Sequence, residues 1–168
     1  MVKKDPPNPI RVLLIEDNPG DARLIREMLA DVDSPAEFQL EWVTQLSTGI
    51  ERLADGGIDV VLLDLALPDS KAEHTFATLV GAAPSVPIVV LTLIEDDGNA
   101  VKAMQGGAQD YVVKADLNVN FLKRSIRYAI ERGRSKVQLG ILNAALEQRV
   151  QDLRTTTVSK AYVDNIIE

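Results

Sequence analysis

The chain contains no cysteine, which excludes disulfides, thiolate metal sites and a cysteine nucleophile. A single histidine, His74, makes a multi-histidine metal centre impossible within one chain, and its setting in a helical pattern reads as a surface position. Cationic residues are in deficit: 18 Lys and Arg face 25 Asp and Glu, for a net charge of −7. That balance argues against non-specific nucleic-acid binding, which needs clustered Lys and Arg on phosphates. No apolar run approaches the ~20 residues of a membrane-spanning helix, and the N-terminus lacks a signal-peptide core. Cytoplasmic residence is the expectation. Proline is missing from about Asn118 to Ala161, a stretch interrupted only by Gly133 and Gly140.

What is present is a regular alternation. At 168 residues the chain suits one domain plus an appendage, and 46% apolar with 26% charged residues is an ordinary globular composition. Residues 1–9 are polar and proline-rich and read as a disordered tail. Arg11–Ile15 reads as a strand, and Pro19–Ala30 as a helix with Asn18 at its N-cap and Ala22, Ile25 and Leu29 on one face. Phe38–Val43 alternates like a half-exposed edge strand, and Leu46–Ala54 is helical up to the stop Asp55-Gly56-Gly57. Val60–Leu63 is apolar throughout, as a strand covered on both faces must be. Glu73–Val80 and Gly98–Met104 predict helices, and Ile88–Leu91 and Tyr111–Val113 predict strands. Five strands alternating with five helices predict a parallel sheet covered on both faces, with ligands outside the carboxyl ends of the strands.

The conspicuous polar residues fall at those ends. Glu16 and Asp17 follow one apolar run, Asp64 ends a second, Thr92 a third and Lys114 a fourth. Three carboxylates at one rim repel each other unless a cation joins them, and an all-oxygen set without histidine or cysteine favours Mg²⁺ or Mn²⁺ over zinc. An ionised Asp64 beside such a metal can attack a phosphoryl group and become an aspartyl phosphate. Lys114 can neutralise charge on that group, and the Thr92 hydroxyl can donate a hydrogen bond to it.

Four segments, Leu14-Ile-Glu-Asp-Asn18, Val61-Leu-Leu-Asp-Leu-Ala-Leu-Pro-Asp69, Val90-Leu-Thr92 and Gly107-Ala-Gln-Asp-Tyr-Val-Val-Lys114, resemble the receiver domain of two-component response regulators. The resemblance covers residues 10–134. It implies a flavodoxin-like, doubly wound five-stranded parallel sheet of order 2-1-3-4-5. It further implies Asp64 as phosphoacceptor, Glu16 and Asp17 as the acidic pair, and the Ala66 carbonyl as a further metal ligand. Thr92 and Lys114 would hold the phosphoryl group, and Tyr111 would be an aromatic switch that turns inward when Thr92 moves. The module would be a switch rather than an enzyme, with a histidine kinase or phosphotransfer protein as donor and Mg²⁺ (or Mn²⁺) bound.

Departures from that pattern predict altered behaviour. Leu93 stands where a small residue is usual and narrows phosphodonor access. Ala115 stands where a proline in a cis peptide is usual; a non-proline cis bond costs about 3 kcal/mol, so a trans peptide and a different loop are expected. The turn near Ala72-Glu73 lacks the family's glycine. Ala66 and Ile94 offer no polar side chain to orient an attacking water, so slow hydrolysis is expected.

The last third reads as an extended C-terminal helix. Ile126, Ile130, Val137, Leu139, Leu142, Leu146, Val150 and Leu153 recur at steps near three and four, a coiled-coil seam with a stutter between Leu142 and Val150. The expected partition is a helical linker over 135–160 that pairs with a second copy, then residues 161–168 as the start of a further, PAS-type output domain. Two other classes compete with the switch. A phosphorylation-independent dimerisation module is favoured by Leu93 and Ala115. A hydrolase with an aspartyl-phosphate intermediate would place a second aspartate where Ala66 stands.

Overall fold

The computed structural model describes residues 8–30, 37–93 and 98–164, with residues 157–164 described by backbone alone. Most of the expected N-terminal tail, Ile94, Asp96, Asp97 and the last four positions of the expected further domain lie outside the described residues. The chain divides into two units, Met1–Gly133 and Arg134–Glu168.

In the first unit the elements alternate as β1 (Ile10–Ile15), α1 (Pro19–Leu29), β2 (Phe38–Val43), α2 (Leu46–Ala54), β3 (Val60–Asp64), α3 (Ala72–Ala82), β4 (Ile88–Thr92), α4 (Gly98–Gln105) and β5 (Asp110–Val113). A 3-10 turn over Lys114–Asp116 leads to α5 (Val119–Asp164). The five strands form one sheet in the order β2-β1-β3-β4-β5, and every neighbouring pair is parallel. This is the flavodoxin-like order that the resemblance implies.

Strand alternation divides the core in two. Val12, Leu14, Val60, Leu62, Val89 and Leu91 meet α1 and the start of α5 through Ala22, Ile25, Leu29, Leu122, Ile126 and Ala129. Their neighbours Leu13, Ile15, Val61, Leu63, Ile88 and Val90 meet α2, α3 and α4 through Leu46, Phe76, Leu79, Ala100 and Ala103. Every residue of β3 and of β4 is buried, and each such leucine or valine contributes roughly 1.5–3 kcal/mol. β2, at the sheet edge, is only half-buried, as its alternation predicts.

Local signals fix the boundaries. Asn18 caps α1 by accepting from Gly20 N at 2.8 Å and Asp21 N at 3.3 Å, with Pro19 opening the helix. After α2, Gly56 and Gly57 take φ of 74° and 79°, the left-handed conformation that stops a helix where the sequence places the stop. In the second unit α5 is exposed along Val137, Leu139, Ile141, Leu142, Leu146, Val150 and Leu153.

Candidate functional site at the carboxyl edge of the sheet

β1 and β3 are adjacent, and the sheet winds outward from them in opposite directions, which opens a crevice at their carboxyl ends. Glu16 and Asp17 follow β1 and Asp64 closes β3. Ligand atoms of these three acids all lie within 4.8 Å of one another. Thr92 closes β4 and is buried; the register sets Asp64 beside Leu91, so Thr92 stands one step beyond it.

Lys114 comes from the opposite side of the crevice. The sequence places it at the end of the last strand; β5 stops at Val113, and Lys114 opens the 3-10 turn, with the following peptide trans. Its buried ammonium donates to Asp64 Oδ2 at 2.7 Å and to Asp21 Oδ2 at 2.9 Å. It also forms an ion pair with Glu16 Oε2 at 2.6 Å.

Each acid is held differently. Asp64 Oδ1 accepts the Ala66 N–H at 2.9 Å, so the residue after next fixes the carboxylate plane. Glu16 is fully buried, and its Oε1 accepts the Asn18 N–H at 3.0 Å. Glu16 Oε2 has no partner in hydrogen-bonding geometry, only the oblique ion pair with Lys114. Burial pushes the Glu16 carboxyl up to about 7, Asp64 pushes the same way, and the Lys114 and Asn18 bonds oppose the rise. Burial would lower the Lys114 ammonium, but its bonds to Asp21, Asp64 and Glu16 outweigh that and raise it. The hard, all-oxygen donor set of Glu16, Asp17 and Asp64 fits a small divalent cation.

Three further residues shape the rim. The Trp42 indole donates to the Glu16 carbonyl at 2.7 Å, tying the acidic turn to β2. Trp42 also packs beside the Arg26 guanidinium, 5.6 Å from its ring centroid. Thr75 Oγ1 donates to the Leu65 carbonyl at 2.9 Å and so anchors the loop after Asp64 from within α3. Asp69, at the end of the same loop, accepts from Leu46 N at 2.8 Å and Ser47 N at 2.9 Å, capping α2 where Gln45 makes no side-chain cap.

Asp69 therefore stabilises both a helix start and the loop that carries Ala66. Slight burial raises its carboxyl, yet the Ser47 and Leu46 bonds more than offset this and hold it below 3.8. A depressed folded value means the stabilisation is complete above the ordinary aspartate range and is lost as acid titrates through the folded one. Asp69→Ala is expected to cost about 1 kcal/mol by equilibrium denaturation near neutral pH, with the difference from the parent vanishing in strong acid. Equal stability at neutral pH would show that the cap contributes nothing.

Of the residues singled out by sequence, Glu16, Asp17, Asp64 and Lys114 converge. Tyr111 lies on β5 and is 37% exposed, turned outward. Leu93 is 68% exposed. His74 is exposed on α3, its imidazole 3.4 Å from Glu73 Oε1. Asp21, Trp42 in its hydrogen-bonding role, Asp69 as a cap, and Thr75 are additions that the sequence reading does not contain.

A doubly wound α/β domain with a carboxylate-lined crevice at its switch point, closed by a buried lysine, belongs to the class of open parallel sheets that bind ligands outside the carboxyl ends of their strands. Its family is specific: residues 12–126 match the response regulator receiver domain, and the chain belongs to that family. The chain is 31% identical over 138 residues to the transcriptional activator protein IrlR of Burkholderia pseudomallei, covering 82% of this chain and 58% of IrlR. It is 33% identical over 101 residues to the regulatory protein LuxO of Vibrio cholerae, covering 60% of this chain and 21% of LuxO. The chain thus spans 58% and 21% of the length of these two relatives. A signal receiver domain of an HD domain-containing protein from Pseudomonas fluorescens superposes with a TM-score of 0.68 at 20% identity, over 82% of this chain and 98% of that domain. Residues 12–126 are thus a receiver domain of the two-component response regulator type, a family of signalling switches. Among the described residues no helix is long and apolar enough to cross a membrane.

Proposed function

We propose that Asp64 accepts a phosphoryl group from a histidine kinase or phosphotransfer protein, and that the switch is relayed through the C-terminal helix. The observation that carries this reading is the Lys114 ammonium held 2.7 Å from Asp64 Oδ2 in a buried acidic crevice. Glu16, Asp17, Asp64 and the Ala66 carbonyl are the groups suited to hold Mg²⁺ (or Mn²⁺). The ion supplies charge neutralisation for the carboxylates and the transferring group.

The chain's own residues do the rest. An Asp64 carboxylate oxygen forms the new O–P bond as the P–N bond to the donor imidazole breaks, and the leaving imidazole takes up a proton. Lys114 passes from the carboxylate to a phosphoryl oxygen, and the Thr92 hydroxyl donates to another. As Thr92 moves toward the phosphoryl group it vacates space behind β4, and Tyr111 turns inward from its exposed position. The surface of α4, β5 and α5 changes with it, which is the logic of a charge-triggered two-state element.

Incubation with acetyl phosphate tests the phosphoacceptor reading. A gain of one phosphoryl mass that requires Mg²⁺ is the expected result. No gain with this donor or a cognate kinase sinks it, and favours the phosphorylation-independent interaction module that Leu93 and Ala115 suggest.

The proposed organisation is a receiver over 10–134 and a helical linker over 135–160, in a cytoplasmic protein. The linker stripe Leu139, Leu142, Leu146, Val150 and Leu153 follows steps of three, four, four and three. Such spacing keeps one apolar seam facing a partner helix with local unwinding. Each of these leucines is more than half exposed, so a second copy of the chain is the proposed cover. Leu146→Glu is expected to convert a dimer into a monomer in light scattering with the receiver unit still folded. An unchanged mass sinks the seam.

A further inference from the structure

Lys114 has more carboxylates around it than the proposed chemistry uses. Glu16 and Asp64 are members of the acidic cluster; the third, Asp21, is not. Asp21 comes from the first turn of α1 and reaches Lys114 Nζ at 2.9 Å across 93 positions of sequence. Acidic side chains in a first helical turn are ordinary, because they meet the positive end of the helix. An acid there that instead spends its oxygen on a buried ammonium has a different task.

We infer that Asp21 is a positioning residue: it is the standing counter-ion that keeps Lys114 in the crevice when Glu16 and Asp64 are engaged by other charges. This rests on the cation-assisted reading of the site given above. The Asp21 backbone is set by structure outside the cluster, since Pro19 opens α1 and the Asn18 side chain accepts the Asp21 N–H. Its carboxylate is 32% exposed while that of Glu16 is fully buried, so Asp21 keeps part of its hydration. A small cation drawn to Glu16, Asp17 and Asp64 competes with Lys114 for two of its three partners. A buried ammonium stripped of every partner is strongly unfavourable. With Asp21 in place, Lys114 gives up Glu16 and Asp64 and stays paired. Without it, Lys114 holds those two acids more tightly and opposes the cation.

The test is a double-mutant cycle on Mg²⁺ affinity, measured by calorimetry on the whole chain. The indole of Trp42, the single tryptophan, bonds to the Glu16 carbonyl and offers a fluorescence signal for the same titration. Asp21→Asn is expected to weaken Mg²⁺ binding about three- to tenfold, the scale of a partly exposed ion pair on a buried lysine. Asp21→Glu, which retains the carboxylate, is expected to recover most of that loss. In a Lys114→Met background, Asp21→Asn is expected to change the affinity less than about twofold, because nothing is left to hold. A loss of equal size in that background means that Asp21 acts as a remote charge on the cation, and overturns the inference. So does an unaltered affinity in Asp21→Asn alone. Absence of saturable Mg²⁺ binding in the unmodified chain is a distinct result, and it removes the cation-assisted reading itself.

Discussion

Asp64→Asn is expected to abolish phosphoryl uptake completely and, in the absence of metal, to raise the thermal midpoint of the receiver unit by several degrees. The first effect follows because an amide oxygen is not a nucleophile toward phosphorus. The second comes from the charges. The crevice holds Glu16, Asp17, Asp21 and Asp64 around one ammonium. Asp64 and each of its cluster partners, within 4.8 Å, repel by roughly 3 kcal/mol or more at an effective dielectric of ~20. Its attraction to Lys114 at 2.7 Å is about 6 kcal/mol on the same scale. With Glu16 only partly ionised near neutral pH, the two repulsions offset most of the attraction. The remaining difference is the cost of burying an ionised carboxylate, which an amide avoids.

Asparagine has a single acceptor oxygen, so it keeps the bond to Lys114 or the bond to the Ala66 N–H, and losing the other costs about 1 kcal/mol, less than the relief of charge. A net gain of about 1–2 kcal/mol is expected, worth several degrees in a domain of this size. Melting curves with and without Mg²⁺ check it, together with intact mass after acetyl phosphate. Phosphate on the variant, or a lower metal-free midpoint than the parent, contradicts the account. The expected pattern also says why such a site persists: its stability is given up for reactivity.

The convergence of Glu16, Asp17, Asp64, Thr92 and Lys114 at one edge was legible because parallel strands all end on the same side. A polar residue that terminates an unbroken apolar run must then emerge there. The sheet order was legible through family resemblance, not through periodicity, which gives elements but no neighbours. What escaped depends on register and long-range reach. The Trp42 bond to the Glu16 carbonyl exists because β1 and β2 pair Leu14 with Trp42, which brings the indole to the end of β1. Asp69 caps a helix that begins 23 positions earlier, so no local capping pattern reveals it. Asp21 looks like any first-turn acid until the fold brings Lys114 to it. Lys114 itself was placed at the end of a strand, whereas it opens a turn, because Ala115 and Asp116 continue into a 3-10 conformation.

The residue that ought to govern how long the switch stays on is Ala66. It is exposed at the mouth of the crevice, and its backbone N–H is 2.9 Å from Asp64 Oδ1. A side chain there stands beside any water approaching the phosphoryl group, and a methyl group can neither orient that water nor accept its proton. Positioned acid–base groups accelerate such steps by ~10²–10⁴. Leu93, 68% exposed just past Thr92, adds a large apolar side chain on the β4 side of the crevice. Slow release is therefore the expected behaviour: a phosphoryl lifetime of minutes or longer, followed by intact mass after removal of the donor. Ala66→Asn, which adds a polar group without altering the backbone N–H, is expected to shorten that lifetime about tenfold or more. Leu93→Ala is expected to quicken loading more than it quickens release, since it widens access without supplying an orienting group. A lifetime of seconds in the unmodified chain, or no response to Ala66→Asn, rules out this control by water. If both expectations hold, loading and release are slowed by different residues, Leu93 and Ala66, so the on-state can be lengthened or shortened without touching Asp64, Lys114 or Thr92.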